Sequence, residues 1–211
     1  MSEYQTFPVN LIVKNKHCLV VGGGHIATRK VKSLLKSGGI VKVVSLTFTD
    51  DLSNMSDLNL TLLTKPFEIA DLEGVWLVIS ATGLKSVDKL VYRECEKRHI
   101  WVNSADEIEA CNFILPAKAV KSGVTVSVST YGKSPTFASW LRDYFEILLD
   151  DEIVELFQLL ADARQVLKEN RVPTEKANFK QFVNEHIIDL IKSKNYDLAK
   201  SAMQNYVSSL I

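Results

Sequence analysis

Apolar stretches of strand length alternate with amphipathic stretches of helix length along the first half of the chain. Five short apolar runs, rich in Val, Ile and Leu, cover residues 18–21, 40–44, 60–65, 75–80 and 100–103. Helical periodicity covers residues 26–37 and 86–99 between them. Continuous apolar strands separated by helices are typical of a parallel sheet covered on both faces. The pattern therefore predicts an α/β domain with a doubly wound parallel sheet and right-handed crossovers.

Short strands are also predicted outside this repeating pattern. Val9–Val13 is expected to form a hairpin with the first buried strand. Val124–Ser129 alternates apolar and hydroxyl side chains, which predicts a strand, and Phe113–Ala117 is its expected neighbour. Ser134-Pro135 then begins a predicted helix that runs to about Asp150, because proline is favoured in a first helical turn.

The last part of the chain is helical by its periodicity. From Asp151 onward, apolar residues recur at helical spacing, and Arg171-Val172-Pro173 interrupts them. We therefore expect three regions: a sheet domain of residues 1–113, a small β region of residues 114–150 and a C-terminal helical domain of residues 151–211.

Composition and charge exclude several classes of protein. Hydrophobic residues make up 46% and charged residues 24%, as in soluble globular proteins, and the formal net charge is +0. No bulk attraction to nucleic acid or to a membrane surface is therefore expected. No apolar run is long enough to span a bilayer, and no secretory signal pattern is present. Three widely spaced cysteines, Cys18, Cys95 and Cys111, favour a cytoplasmic setting and offer no zinc motif.

The stretch that joins the first strand to the first helix carries candidate chemistry. Gly22, Gly24 and Ala27 have the spacing G-x-G-x-x-A. Gly22 would permit a tight turn, Gly24 would let a pyrophosphate approach the backbone, and Ala27 would let the helix pack closely on the strand. The helix N-terminus would add free N–H groups and the positive end of its dipole. This context favours a dinucleotide-binding domain of the Rossmann type over a plain glycine-rich turn.

Other strand ends are expected to border the same crevice, because ligands bind beyond the carboxyl ends of parallel strands. The segments concerned are Gly22–Ile26, Ser45–Thr47 and Ser80–Gly83, with Asn103–Asp106 near by. The second strand ends in Ser45-Leu46-Thr47, without the acid that binds the adenosine ribose in many NAD sites and without a following arginine. This signal leaves the choice between NAD and NADP open.

Five stretches in order over about residues 7–145 point to one family. They are FPVNLIVKNKHCLVVGGGHIATRK, VVSLTF, VISAT, VNSADEIEACNFILPA and VSVSTYGKSP. Together they resemble the precorrin-2 dehydrogenase and sirohydrochlorin ferrochelatase family, which includes the N-terminal part of multifunctional siroheme synthases. The resemblance implies NAD-dependent oxidation of precorrin-2 to sirohydrochlorin in siroheme biosynthesis, by a homodimer. Some members also insert ferrous iron, whereas the synthases' methyltransferase half would not fit in this length.

The resemblance also implies roles for single residues. Asp106, just after the fifth strand, matches the family's acid–base aspartate. Family NAD contacts fall on His25 and Ile26 after the glycines and on Leu46 and Thr47 after the second strand.

Residues in two other places complete the expected site. Thr82, at the end of the fourth strand, is expected to join the cofactor contacts. Ser129 and Thr130, in a hydroxyl-rich turn, are candidate substrate contacts, and Thr130 matches a serine common in the family. Lys133 and Arg142 are candidate partners for the carboxylates of a tetrapyrrole, with solvated surface positions as the alternative. We predict no metal-ligand set.

The chemistry of the reaction supports a role for Asp106 as a proton acceptor independently of the resemblance. Oxidation of precorrin-2 removes a hydride, which NAD can accept, and a proton, which a positioned carboxylate can accept. The alternative role of Asp106 is that of an ordinary turn or cap residue.

For the whole protein, the alternative function is a nucleotide-sensing regulatory domain that binds NAD without turnover. Appearance of NADH would distinguish the enzyme from such a sensor.

Overall fold

The protein divides into two compact units in a computed structural model that describes residues 6–183 and 185–211. One unit ends at Leu115 and the other begins at Pro116. The finer division of the second unit at residue 150 stays a prediction.

The first unit is built on a five-stranded parallel sheet. Its elements are β1 His17–Val21, α1 His25–Lys36, β2 Ile40–Ser45, α2 Asp50–Ser53, β3 Leu60–Thr64, β4 Leu77–Ser80, α3 Lys85–Lys97 and β5 Trp101–Ser104, with 3₁₀ turns at Ile69–Leu72 and Ile108–Ala110. The strand order is β3-β2-β1-β4-β5, and all four pairings are parallel. The predicted doubly wound parallel sheet is confirmed.

Alternate residues of β1 face two separate apolar layers, because successive side chains of a strand point to opposite faces. Cys18 and Val20 pack in the layer that contains Ala27 and Val31 of α1. The intervening residues of β1 pack with α3 on the other face. The sheet is therefore covered by helices on both sides, which explains why its strands are continuously apolar.

The hairpin predicted at Val9–Val13 is wrong, since these residues form no strand. Both hydrogen-bonding edges of β1 are already used, by β2 on one side and by β4 on the other. An additional strand therefore has no edge of β1 to pair with. Val13 is instead buried in the core, while Val9 and Ile12 are exposed.

The second unit combines a hairpin with helices. Its elements are β6 Ala117–Lys121, β7 Val124–Val128, α4 Pro135–Leu148, α5 Asp151–Glu169, α6 Phe179–Phe182, α7 Glu185–Lys192 and α8 Tyr196–Ser208, with a 3₁₀ turn at Thr174–Lys176. Helices α5 and α8 share a core that contains Ala163, Leu167, Met203 and Val207. None of the helices in the described residues is long and apolar enough to cross a bilayer.

The strand predicted at Phe113–Ala117 is misplaced by four residues. The hairpin closes at Ser122 and Gly123, both with positive φ, which pairs Lys121 with Val124. A two-residue turn fixes the register of a hairpin, so the partner of β7 must begin at Ala117. The strand predicted at Val124–Ser129 and the helix predicted from Ser134-Pro135 are confirmed.

Candidate functional site

The carboxyl edge of the sheet has one point where the direction of strand addition reverses. From β1 the chain proceeds to β2 and β3 on one side, whereas β4 and β5 lie on the other side. Ligands of open parallel sheets bind outside the carboxyl ends of the strands at this switch point. The turns after β1 and β4 border it, and the turns after β2 and β5 are their neighbours.

The turn after β1, here called the glycine turn (Gly22–Gly24), is shaped first by the protein's own backbone. Gly22 has a φ of +115°, and a Cβ atom on it would lie 2.2 Å from the carbonyl oxygen of Ala81. A Cβ on Gly23 would lie 2.0 Å from the carbonyl oxygen of Thr47. Both glycines are therefore required by neighbouring backbone. The sequence motif drew attention to Gly22 but missed Gly23, the second position of G-x-G.

Gly24 is different, because none of the described residues requires glycine there. Apart from its chain neighbours, no described residue has an atom within 4 Å of the position that its Cβ would occupy, and its φ of −79° suits any residue. It is the N-cap of α1 and provides no side-chain cap to the free N–H groups of the first turn. Its open surface fits a pyrophosphate, which a side chain would displace. His25 and Ile26 follow it and are exposed.

The loop after β2 is tied to the glycine turn by hydrogen bonds. The N–H of Thr49 donates to the carbonyl of Gly23 at 2.9 Å, and the hydroxyls of Thr28 and Thr49 are 2.8 Å apart. Leu46 and Thr47, the predicted cofactor contacts in this loop, are both exposed. These hydrogen bonds join the two turns into one surface. The roles of Thr28 and Thr49 in joining them were not predicted from the sequence.

A buried carboxylate holds the loop after β4. Asp88 of α3 is 3% exposed and accepts hydrogen bonds from the hydroxyls of Ser80, at 2.6 Å, and Thr82, at 2.9 Å. The Thr82 hydroxyl also accepts the N–H of Leu84 at 3.0 Å. The side chain of Thr82 therefore braces its own loop, and its contact with a cofactor stays a prediction. An aspartate in a first helical turn resembles an ordinary cap in sequence, which is why Asp88 was missed.

The loop after β5, here called the aspartate loop (Ser104–Cys111), carries the candidate base. Asp106 is exposed, while Ser104 before it is 5% exposed. The N–H of Ala105 donates to the carbonyl of Ser80 at 2.8 Å, which carries the β4–β5 ladder up to the residue before Asp106. Among residues 6–183 and 185–211, the Asp106 carboxylate has no hydrogen-bond or ion-pair partner. It is thus available to accept a proton from a ligand.

The predicted substrate residues lie in the second unit, on one turn and the helix that follows. The Thr130 hydroxyl accepts the N–H of Ser134 at 3.2 Å and lies 3.1 Å from the Ser134 carbonyl, so it closes the turn. The hydroxyl of Ser129 accepts the N–H of Tyr131 at 3.3 Å. Lys133 is exposed.

The predicted substrate residue on α4 is engaged by its neighbour. The Nε of Arg142 donates to Asp143 at 2.8 Å, so Arg142 would have to leave this partner to bind a substrate carboxylate.

No metal centre or activated thiol is apparent in the described part of the chain. No three His, Cys, Asp or Glu side chains within it are grouped so as to hold a metal ion. Burial raises the pKa of Cys18 to about 11 and that of Cys95 to about 12. Burial also raises the pKa of Cys111, against hydrogen bonds from Ser104 and Asn103 that lower it. All three cysteines are free thiols.

Comparisons with known proteins agree with this geometry. A family model described as "Putative NAD(P)-binding" matches residues 9–117. Siroheme synthase 2 of Yersinia pseudotuberculosis serotype O:1b is 36% identical over 175 residues, which are 82% of this chain and 37% of that protein. Siroheme synthase of Methylobacillus flagellatus is 34% identical over 207 residues, or 97% of this chain and 44% of that protein. The chain thus spans less than half the length of these curated relatives.

A solved structure shares the fold along nearly the whole chain. SirC, a precorrin-2 dehydrogenase, superposes with a TM-score of 0.73 at 23% identity, covering 97% of this chain and 98% of that one.

Proposed function

Since this chain belongs to the NAD(P)-binding family whose model matches its residues 9–117, we propose that it is an NAD-dependent dehydrogenase that oxidises precorrin-2 to sirohydrochlorin in siroheme biosynthesis. The observation that carries the proposal is the Asp106 carboxylate, which is exposed and has no hydrogen-bond or ion-pair partner among the described residues, at the sheet edge that also holds the open surface of Gly24. The siroheme synthases and SirC support the choice of substrate.

The glycine turn is proposed to bind the pyrophosphate of the dinucleotide. Gly24 leaves room for it, and the first-turn N–H groups of α1 can donate to its oxygens. Around it, His25, Ile26, Leu46 and Thr47 offer exposed surface for the rest of the cofactor. When bound, NAD supplies a two-electron oxidant that accepts a hydride.

Asp106 is proposed to accept the proton that dehydrogenation releases. One C–H bond of precorrin-2 breaks, and its electron pair and hydrogen leave together as hydride. One further proton leaves the tetrapyrrole, so that precorrin-2 and NAD⁺ give sirohydrochlorin, NADH and H⁺. An exposed carboxylate without a described partner can take that proton and pass it to solvent.

In the second unit, we propose the turn at Ser129 and Thr130, with Lys133 and Arg142, as contacts for the tetrapyrrole. The substrate carries many carboxylates, and an exposed lysine and an arginine are suitable partners for them. Because the hydroxyl of Thr130 closes its own turn, its proposed role is to shape the turn and present the N–H groups and side chains near it.

A homodimer is proposed through the second unit, supported by an exposed apolar face on α4. Phe137 is 51%, Trp140 58% and Ile147 78% exposed, at helical spacing along one side. Trp140 and Tyr144 stack with ring centroids 6.0 Å apart. Exposed apolar patches of this kind mark interaction surfaces. Light scattering at micromolar protein should give twice the chain mass, and a monomeric mass would contradict the proposal.

Ferrous iron is proposed as a possible second substrate, inserted into sirohydrochlorin to give siroheme. The Asp106 carboxylate that accepts a proton during oxidation could also accept pyrrole protons as a metal enters. Anaerobic incubation of the protein with sirohydrochlorin and ferrous or cobaltous ion, without NAD, tests this directly. Insertion above the uncatalysed rate marks a bifunctional enzyme, and insertion at that rate leaves a dehydrogenase alone.

The experiment that tests the main proposal is turnover of precorrin-2 under anaerobic conditions. Protein, NAD and enzymatically generated precorrin-2 should give NADH and sirohydrochlorin in equal amounts. NAD binding without turnover would favour the regulatory sensor instead.

Free thiols at Cys18, Cys95 and Cys111 support the proposal that the protein works in the reducing cytoplasm.

A further inference from the structure

One sulfur atom contacts both ends of the segment that carries Asp106. The Sγ of Cys111 accepts the N–H of Ser104 at 3.1 Å and lies 3.4 Å from the carbonyl oxygen of Ser104. It also lies 3.3 Å from the carbonyl oxygen of Glu107. Only Ala105 and Asp106 separate the two residues that this thiol holds. The two residues between these contacts, Ala105 and Asp106, are here called the arc, and Ser104 and Glu107 are its ends.

Cys111 is itself held in place from both sides. The side-chain amide of Asn103, which is 7% exposed, donates to its sulfur at 3.5 Å and to the carbonyl of Phe113 at 3.1 Å. The next residue, Asn112, binds β5 as another strand would. Its Oδ1 accepts the N–H of Val102 at 2.7 Å, and its own N–H donates to the carbonyl of Val102 at 3.0 Å.

Few other side-chain contacts fix this arc. The hydroxyl of Ser104 is buried and has no hydrogen-bond partner in the described residues. Lys85 lies 3.4 Å from Glu107, but Lys85 is exposed, and an ion pair of this kind contributes little. The N–H of Ala110 also donates to the carbonyl of Glu107 at 3.0 Å. The thiol is thus the one described side chain that contacts the backbone at both ends of the arc.

We propose that Cys111 is a positioning residue for the dehydrogenase reaction, which holds the backbone around Asp106 so that the carboxylate meets the substrate proton. The inference rests on the proposed function, because it assigns Asp106 as the proton acceptor. A thiol can accept N–H donors and donate its one proton to a carbonyl, so it satisfies both kinds of backbone group at once. Its raised pKa keeps the donating proton on the sulfur at neutral pH.

Cys111→Ala tests the proposal, with Cys95→Ala as the matched control. Cys95 is also a free thiol, but it belongs to α3 and its sulfur is buried in the apolar layer between α3 and the sheet. Both variants should lose thermal stability. Only Cys111→Ala should lower kcat for precorrin-2, by about tenfold or more, since small misplacements of catalytic groups cost factors of this size. The KM for precorrin-2 and the affinity for NAD should stay within about threefold of wild type. Cys111→Ser keeps a donor and an acceptor and should recover most of the lost kcat.

Amide hydrogen exchange of the free protein gives a readout that does not depend on the reaction. Peptides that cover residues 104–110 should exchange faster in Cys111→Ala than in wild type and in Cys95→Ala. Equal exchange in that segment, or a kcat loss no larger than that of Cys95→Ala, would overturn the inference. Wild-type protein without turnover would overturn the proposed function instead, while the exchange result would still decide whether the thiol holds the loop. Should Cys111→Ala not fold, the same comparison is made with Cys111→Val, which fills the space of the sulfur without a hydrogen-bonding group.

Discussion

The glycine turn and the aspartate loop lie at the same edge of one sheet but are shaped by different means. In the glycine turn, close backbone contacts exclude side chains from Gly22 and Gly23, and only Gly24 faces open space. In the aspartate loop, side chains hold the backbone, chiefly the half-buried thiol of Cys111. A turn that excludes side chains can be recognised from its glycines. A loop held by side chains uses residue types that occur anywhere, so its sequence does not reveal it.

The largest effect on stability is expected from Gly23→Ala, which tests whether backbone contact shapes the glycine turn. Its Cβ would lie 2.0 Å from a carbonyl oxygen of the neighbouring loop, so backbone must move. We expect a loss of about 3 kcal/mol, as for severe overpacking. Chemical denaturation checks this. A variant as stable as wild type would contradict this expectation, because it would show that the two turns can separate freely.

Gly24→Asp should have the opposite effect to Gly23→Ala, with stability kept and cofactor binding lost. Beyond the chain neighbours of Gly24, no described residue has an atom near its Cβ position, so the thermal midpoint should stay near that of wild type. NAD affinity should fall by at least about a hundredfold, since a carboxylate would take the place of the pyrophosphate. Calorimetry measures this, and Gly24→Asn separates bulk from charge. Normal NAD affinity in Gly24→Asp would remove the cofactor assignment.

Asp88→Ala tests the loop after β4, which is held by side chains like the aspartate loop. The substitution leaves the buried hydroxyl of Ser80 without its acceptor. We expect a loss of about 2 kcal/mol in urea unfolding, the usual cost of an orphaned buried polar group. Asp88→Asn, which keeps one acceptor oxygen, should lose less. If both variants unfold like wild type, the carboxylate does not hold this loop.

The smallest effect concerns a charge cluster outside both turns. Hydrogen bonds from Lys97 and then Arg98 lower the pKa of Glu94 from its ordinary value of 4.5 to about 2. A carboxylate with a depressed folded-state pKa stabilises the fold above its unfolded-state pKa, and that stabilisation is lost as the pH falls from about 4.5 to about 2. Glu94→Gln should therefore flatten the acid side of the stability profile while NAD affinity at neutral pH stays unchanged. An unaltered acid profile would contradict this.

The sequence predicted the sheet and the position of Asp106, because both rest on local patterns. Apolar runs separated by helical periods can form a covered parallel sheet, and the strand end before Asp106 follows from that sheet. The hairpin at Val9–Val13 failed because the occupancy of both edges of β1 is a property of the whole sheet. Gly23 was missed because its role depends on the backbone of Thr47 in another loop. Asp88 and Cys111 were missed because their roles are hydrogen bonds to nearby loop residues, and such bonds leave no pattern of residue types in the sequence.

Asp106→Asn removes the proposed proton acceptor, and NAD affinity and precorrin-2 turnover are both measured on one preparation of this variant. Asparagine keeps the size of the side chain and much of its hydrogen-bonding capacity but cannot accept the proton. We expect dehydrogenation to fall by about two to four decades, the usual range for loss of a general base, while NAD affinity stays near that of wild type. Turnover within a few-fold of wild type would contradict this expectation and leave Asp106 as an ordinary loop residue.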